Sequence, residues 1–176
     1  MKSIIMAGGF GTRLRPLTNN LPKPMVPMAN RPIIEHIIEL LKKNSIKDLT
    51  GLLYFQPEVI IDHLGDGTAL GVNIDYTTAT SDLGTAGSVA LAMRNMGGAD
   101  TILVISGDVL TDIDLNKAVA FHKKRKALVT IILTRVENPL PFGIVITDKT
   151  GKVIRFLEKP SWGEVFSDTI NTGIYI

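Results

Sequence analysis

KSIIMAGGFGTRLRPLT, residues 2–18, opens the chain with a short apolar run, Ile4, Ile5 and Met6, that passes directly into a glycine-rich loop. A loop of this kind at the end of a first strand is the layout of a phosphate cradle. Its glycines permit positive φ and let several N–H groups approach an anion that a β-carbon would keep away. Thr12 adds a hydroxyl, and Arg13 and Arg15 add two permanent positive charges. The loop is neither of the two commonest cradles: a P-loop requires GxxxxGK[ST], and a dinucleotide fingerprint requires glycine where Leu14 stands.

Outward from that loop the sequence alternates in period. Residues 2–6 predict a strand, and 32–43 a helix with Ile33, Ile34, Ile37, Ile38 and Leu41 on one face and Glu39 four residues before Lys43. Further strands are expected at 48–54, 72–76 and 101–105. Helices are expected at 57–64, at 115–126, and at 86–96 with Val89, Ala90, Met93 and Met96 sharing a face. The last third reads as strands at 128–135, 143–147, 153–158 and 170–176. Strand and helix alternate through the first two thirds, so crossover geometry predicts an α/β domain with a mostly parallel central sheet and a mixed or antiparallel extension. No internal repeat or low-complexity linker interrupts the pattern, and residues 1–176 are read as one domain.

With 176 residues and 45% hydrophobic content, the chain can bury one substantial core. Its net charge is only +2, from 19 basic and 17 acidic residues, so no bulk field draws it to nucleic acid or to an anionic membrane. Affinity for phosphate must therefore be local. The lack of cysteine removes disulfides, thiolate chemistry and sulfur-ligated zinc, which fits a reducing compartment. Apolar runs fall short of the roughly 20 residues needed to span a bilayer, and Gly8 and Gly9 break the N-terminal run before it could act as a signal peptide. The expectation is a soluble, cytoplasmic protein with no nucleic acid or membrane partner.

Open α/β sheets bind ligands outside the carboxyl ends of their strands. Three expected loops carry chemistry at that edge: GGFGTR after the first strand, SDLGTAG (81–87) after the 72–76 strand, and Ser106, Gly107 and Asp108 after the 101–105 strand. A carboxylate after a buried strand, set opposite a glycine-rich loop with an arginine and a lysine, is what a magnesium-nucleotide site requires. Magnesium takes hard oxygen ligands, keeps several waters, and commonly uses one or two carboxylates plus substrate phosphates. Asp108 is the expected metal ligand.

GGFGTRLRPLTNNLPKPMVPMANRPIIEH (8–36) resembles the signature of the sugar-1-phosphate nucleotidyltransferases, also called nucleotide-sugar pyrophosphorylases. LGTAGSVALA (83–92), SGD (106–108), PFGIV (141–145), EKP (158–160) and NTGIY (171–175) are similar to later segments of that family, in the same order. The resemblance implies a Rossmann-like three-layer sandwich of the glycosyltransferase-A-like kind. It also implies a reaction: a sugar 1-phosphate oxygen attacks the α-phosphorus of a nucleoside triphosphate in line, and pyrophosphate leaves. No covalent enzyme intermediate is needed, so catalysis is mostly positioning and electrostatic stabilisation.

By that resemblance, Gly8, Gly9, Gly11 and Thr12 line the nucleotide. Arg13 holds the triphosphate and the leaving pyrophosphate, a task suited to its planar fork. Lys23, inside PKP, sits among the phosphates of both substrates, and its flanking prolines are expected to keep its backbone extended. Gly84 lets the backbone reach the nucleobase edge, and Gly143 does the same for sugar hydroxyls. Glu158 accepts hydrogen bonds from those hydroxyls, Lys159 meets the sugar phosphate, and Asn171 and Thr172 complete the sugar pocket. Arg13, Lys23 and Asp108 are the implied catalytic residues, Mg2+ is the implied cofactor, and a homo-oligomer is left open.

The family pattern continues past NTGIY to a second carboxylate that shares the magnesium, so a chain ending at Ile176 is expected to be truncated. PKPMVPMANRP with LGTAG resembles the guanylyltransferase branch that makes GDP-mannose from GTP and mannose 1-phosphate, more than the branch with PKQ or PKE in that place. Two alternatives stay open: a glucose-1-phosphate enzyme using UTP or dTTP, and a regulatory subunit that binds nucleotide sugars without turnover. Other charged residues have plainer expectations. Arg15 should brace the loop or be solvated, and Asp112 and Asp114 should serve turns or caps, Asp114 just ahead of a helix. His36, His63 and His122 lack metal-ligand spacing and should be structural. The basic run at 123–126 should form a solvated helix end favoured by the helix dipole.

Overall fold

A computed structural model of the chain describes residues 1–81, 83–97, 100–158, 160–165 and 167–176. Met1–Ala127 together with Ile176 forms one unit, and Leu128–Tyr175 forms a second. The first unit begins with β1 (Lys2–Met6), followed by a short hairpin of β2 (Pro27–Met28) and β3 (Arg31–Pro32). It continues through α1 (Ile33–Lys43), β4 (Asp48–Leu53), α2 (Pro57–Leu64), β5 (Asn73–Thr78), α3 (Gly84–Asn95), β6 (Ile102–Ser106) and α4 (Leu115–Arg125).

The four long strands of this unit stand in the order β5-β4-β1-β6 and pair in parallel, with Lys2 opposite both Asp48 and Ile102. The connections β1–α1–β4 and β4–α2–β5 step outward in one direction, and β5–α3–β6 then returns past β1. Right-handed crossovers therefore lay α1 and α2 on one face of the sheet and α3 on the other. The same reversal opens a crevice between the carboxyl ends of β1 and β6, where ligands bind in sheets of this kind.

The stripe read from the sequence of α1 is the one that packs: Ile33, Ile34, Ile37, Ile38 and Leu41 are all buried. At about 1.5–3 kcal/mol for each fully buried side chain, this face is a major hydrophobic contribution of the unit. The helix stops at Asn44, whose side-chain amide donates to the Leu40 carbonyl at 2.9 Å, and Ser45 turns the chain with φ 63°. Asn44 Oδ1 in turn accepts from the backbone and side chain of Asn116, tying the end of α1 to the start of α4. Asp114 caps α4 as expected, accepting from the Lys117 N–H at 3.0 Å.

α3 departs from expectation. It starts at Gly84 rather than at residue 86, and its buried positions are Ala92 and Met96, while Met93 is exposed. The run TAGSVALA is almost wholly small or apolar, so no single stripe in it fixes which way the helix is turned.

The second unit is antiparallel. It comprises β7 (Ile131–Arg135), β8 (Gly143–Thr147), β9 (Val153–Glu158) and β10 (Thr169–Tyr175). β10 pairs with both β7 and β8, and β8 pairs with β9. The strand expected from residue 128 begins only at Ile131, leaving Leu128 and Val129 exposed. Its partner sets that limit: β10 offers pairing positions between Ile131, opposite Tyr175, and Arg135, opposite Thr169. Parallel sheet first and antiparallel strands after is the α/β arrangement that the alternation predicted. Among the described residues, no helix is long and apolar enough to cross a membrane.

Candidate active site

The exits of β1, β4 and β6 are tied together by backbone hydrogen bonds. The Ala7 N–H donates to the Leu52 carbonyl at 2.8 Å, and the Gly107 N–H donates to the Met6 carbonyl at 2.7 Å. Gly107 must be glycine for this approach, since a β-carbon there would lie 2.9 Å from the Met6 oxygen. The consequence is positional: Asp108, the next residue, is brought beside the loop that leaves β1. A cavity of about 310 Å3 lies at these exits. Gly8, Gly9, Lys23, Gly84 and Asp108 all line it, so five residues singled out in the sequence meet in one place.

Asp108 is held by two donors from different segments. Lys23 Nζ donates to Oδ2 at 2.5 Å and Ser106 Oγ to Oδ1 at 2.6 Å. Burial alone would raise the carboxyl, but the hydrogen bonds from Lys23 and Ser106 and the positive charge of Lys23 outweigh it and hold Asp108 below its ordinary value. Asp108 is thus a carboxylate at neutral pH. The pair is partly sheltered, with side-chain exposures of 27% for Lys23 and 29% for Asp108.

Lys23 reaches this position from a backbone that differs from expectation. It opens a 3-10 turn, Lys23–Met25, instead of continuing extended; the extended residue is Pro22, at φ −59° and ψ 142°. Pro24 falls in the first turn, where its missing N–H costs nothing. Hydrogen bonds from Met25 N to Pro22 O (2.8 Å) and from Val26 N to Lys23 O (3.1 Å) outweigh the extended bias that a following proline imposes.

The glycine loop is folded against this turn. Gly11 has φ 62°, and a β-carbon on it would lie 3.1 Å from Lys23 Cβ and 3.0 Å from Thr18 Cγ2. Buried Thr18 donates its hydroxyl to the Gly11 carbonyl at 2.7 Å. Thr12 and Arg13 lie on the exposed 3-10 turn that follows and are not among the residues lining the cavity. Gly84 opens α3 with φ 62°, a conformation that favours glycine, and a β-carbon there would meet nothing within 4 Å.

The remaining implied positions belong to the second unit. Gly143 and Glu158 stand opposite each other in the β8–β9 ladder, and a β-carbon on Gly143 would strike Glu158 Oε2 at 2.9 Å and the Phe156 ring at 2.7 Å. Asn171 spends its side chain within its own strand, donating to the Tyr175 hydroxyl at 2.7 Å and accepting from the Gly173 N–H at 3.0 Å. The Thr172 hydroxyl donates to the Ile132 carbonyl at 2.7 Å. Lys159 lies outside the described residues.

Sequence reasoning missed part of the cavity wall. Tyr54 lines it at the exit of β4, and Phe10 packs edge-on against Tyr54 with ring centroids 5.5 Å apart and against Phe55 at 5.2 Å. The rule that singled out the exits of β1 and β6 applies equally to β4 and would have found Tyr54. Ser88, one residue past the SDLGTAG segment, also lines the cavity from α3, beside Ser81 and Thr85 of that segment. Its signal is the three-residue spacing from Thr85 once the helix is started at Gly84.

A larger cavity, about 680 Å3, opens by the C-terminal end of α3 near Lys2, Asp48, Asn73 and Asn95. Much of its polar wall is already paired: Asn73 with Asp48 at 3.1 Å, Asn95 with Thr77 at 3.2 Å, and Lys2 with the Met96 carbonyl. It has no glycine loop, and the chemistry favours the smaller cavity. Two histidines are structural as expected, His36 bonded to the Met28 carbonyl at 2.8 Å and His63 to Glu35 at 2.7 Å. The basic run closes α4 in solvent, with the Arg125 guanidinium 5.2 Å over the Phe121 ring.

Known proteins resemble the chain along its length. The family described as nucleotidyl transferase matches residues 2–176. A mannose-1-phosphate guanyltransferase of Yarrowia lipolytica is 42% identical over 179 residues, covering 100% of this chain and 49% of that protein. A structure described as a glucose-1-phosphate thymidylyltransferase from Bacillus anthracis, in complex with a sucrose, is similar with a TM-score of 0.89 and 31% identity, over 99% of this chain and 70% of that one. HddC from Yersinia pseudotuberculosis, complexed with GMP-PN, gives 0.82 and 25%, over 99% and 75%. The chain spans about half the length of the curated relatives it matches. A match running from Lys2 to Ile176, through the loop and the carboxylate that meet in the cavity, means that the chain belongs to the nucleotidyl transferase family.

Proposed function

We propose that the protein is a sugar-1-phosphate nucleotidyltransferase that converts GTP and mannose 1-phosphate to GDP-mannose and pyrophosphate. The observation that carries this reading is the meeting of Gly8 and Gly9, Lys23 and Asp108 in one cavity at the switch point of a parallel sheet. Residues 1–176 are read as one nucleotidyltransferase domain, in keeping with the extent of the family match. The name of the Yarrowia relative and the GMP-PN complex of the Yersinia protein support guanine over other bases. A cytoplasmic location is proposed on the lack of cysteine.

In this reading the sugar phosphate oxygen forms a bond to the α-phosphorus, the bond from that phosphorus to the bridging oxygen breaks, and the electron pair leaves with pyrophosphate. The backbone N–H groups of the Gly8, Gly9, Gly11 and Thr12 segment orient the phosphates, and Arg13 and Lys23 offset the charge that builds on them. Gly84 admits the nucleobase to the backbone at the start of α3. Gly143, Glu158, Lys159, Asn171 and Thr172 are assigned to the sugar phosphate.

The donor set at Asp108 fits magnesium: an ionised carboxylate with the Ser106 hydroxyl against it, all hard oxygen. Among the described residues, no group of three or more His, Asp and Glu could hold a metal, so Asp108 would hold the ion together with substrate phosphates. Bound magnesium would supply Lewis-acid stabilisation of phosphoryl charge.

A second reading, glucose 1-phosphate with dTTP or UTP, is favoured by the similarity to the Bacillus protein. Pyrophosphate release with GTP, UTP and dTTP, each paired with mannose 1-phosphate and with glucose 1-phosphate, separates the two. The highest kcat/KM is expected for GTP with mannose 1-phosphate. A higher value for a pyrimidine nucleotide with glucose 1-phosphate overturns the base and sugar assignments. Nucleotide-sugar binding with no turnover in any pairing would replace the enzyme with a regulatory subunit.

A further inference from the structure

The Lys23–Asp108 contact joins the residue assigned to the phosphates with the residue assigned to the metal. Both oxygens of Asp108 are engaged, Oδ1 by the Ser106 hydroxyl at 2.6 Å and Oδ2 by the Lys23 ammonium at 2.5 Å. A magnesium ion held by Asp108 through Oδ2 would share that oxygen with the Lys23 ammonium. Ammonium and dication would then crowd against one oxygen in a partly sheltered cavity, where like charges repel more strongly than in bulk water. The two cations would compete for one carboxylate.

We propose that Lys23 is a charge latch on Asp108: it holds the cation's position, and a divalent ion gains Asp108 only when the triphosphate draws Lys23 onto its own oxygens. The triphosphate supplies what the exchange needs, several anionic oxygens that accept charge-assisted hydrogen bonds. The geometry brings them close. The glycine loop packs on the stem of Lys23, with the Gly11 position 3.1 Å from Lys23 Cβ when measured from the β-carbon it lacks, so phosphate seated in the loop arrives beside the lysine. The root of the side chain is fixed by the 3-10 turn Lys23–Met25 that follows Pro22, and the ammonium sits at the end of a flexible four-carbon stem. The latch makes metal and nucleotide load together, each raising the affinity of the other by the same factor. It also keeps Asp108 from trapping a metal ahead of the nucleotide.

This inference rests on the assignment of Asp108 as a metal ligand, and the test separates the two. Mn2+ binding to the protein without nucleotide is followed by electron paramagnetic resonance for wild type, Lys23→Met, Lys23→Gln and the double variant Lys23→Met/Asp108→Asn. Circular dichroism identifies the variants that fold. Both single Lys23 variants should bind Mn2+ roughly 10-fold tighter than wild type, within the ordinary range of coupling between sites, and the double variant should lose that gain. Calorimetry of GTP binding to Asp108→Asn, with and without Mn2+, tests the metal site itself. If neither Lys23 variant gains Mn2+ affinity while Asp108→Asn abolishes the metal-dependent part of GTP binding, the latch is overturned and the metal site stands. If Asp108→Asn leaves that part intact, the metal assignment fails and the latch falls with it.

Discussion

Adding one methyl group at Gly107 should lower both stability and turnover, by amounts that follow from where the methyl would go. A β-carbon there would lie 2.9 Å from the Met6 carbonyl oxygen, 3.2 Å from Ala7 Cβ and 3.3 Å from Ala7 Cα. The first contact is short of ordinary separation by about 0.5 Å, and its partner is strand backbone, which cannot rotate away. The same oxygen accepts the Gly107 N–H at 2.7 Å, so any retreat also stretches a hydrogen bond at the sheet edge. Overpacking of this kind costs about 1–3 kcal/mol, and for a chain of this length roughly 2 kcal/mol lowers Tm by about 4–8 °C. The retreat carries Asp108 a similar distance relative to the glycine loop. A misplacement of about 1 Å costs on the order of 100-fold in rate, so half of it should lower kcat by roughly 10-fold. Thermal unfolding reads the first effect and pyrophosphate release the second. Wild-type Tm and kcat in Gly107→Ala would refute the claim that this close approach positions Asp108.

Gly9→Ala is the opposite case: its β-carbon would meet nothing within 4 Å and its φ is not positive. Stability should hold or rise by about 0.4–1 kcal/mol, while GTP affinity measured by calorimetry falls at least roughly 10-fold; unchanged affinity removes Gly9 from the cradle. Because Asp108 is held below its ordinary value, the stabilisation from its pairing is fully present above the unfolded Asp value of about 3.9 and is lost as pH falls through the lower folded value. The Tm difference between wild type and Asp108→Asn should therefore shrink as pH falls below about 4, and a difference that grows with acid contradicts the depressed carboxyl. Asp114→Ala removes the cap on α4 and should lower Tm with catalysis untouched, and a Tm equal to wild type would rule out that cap. Arg13→Ala should lower kcat more than sugar-phosphate affinity, and a loss seen only in Tm would make Arg13 structural.

The sequence was most readable where chemistry and period coincide. The α1 stripe of isoleucines and leucine has one solution and packs as read, and the glycine loop falls at the end of β1 because an apolar strand cannot continue through it. α3 was harder, since nearly every residue from Thr85 to Met93 is small or apolar and packing decides which of them faces inward. Val129 has strand preference, but among the described residues the pairing with β10 starts only at Ile131, which sequence does not reveal. Within the site, Lys23 and Asp108 were each legible from neighbouring residues, but their pairing joins positions 85 apart and depends on the β1–β6 register. Lys23 also shows a local rule, the extended bias before proline, yielding to the hydrogen bonds of a turn.

The central claim is that nucleotide binds between the carboxyl ends of β1 and β6. Amide hydrogen exchange on the protein with and without magnesium and GTP tests it most directly. The account predicts slowed exchange at residues 8–12, at Lys23–Met25 (where Pro24 has no amide), at 84–88 and at 106–108, the segments that form and support the smaller cavity. Slowing confined to the larger cavity around Lys2, Asp48, Asn73 and Asn95, with none at 8–12, would contradict it.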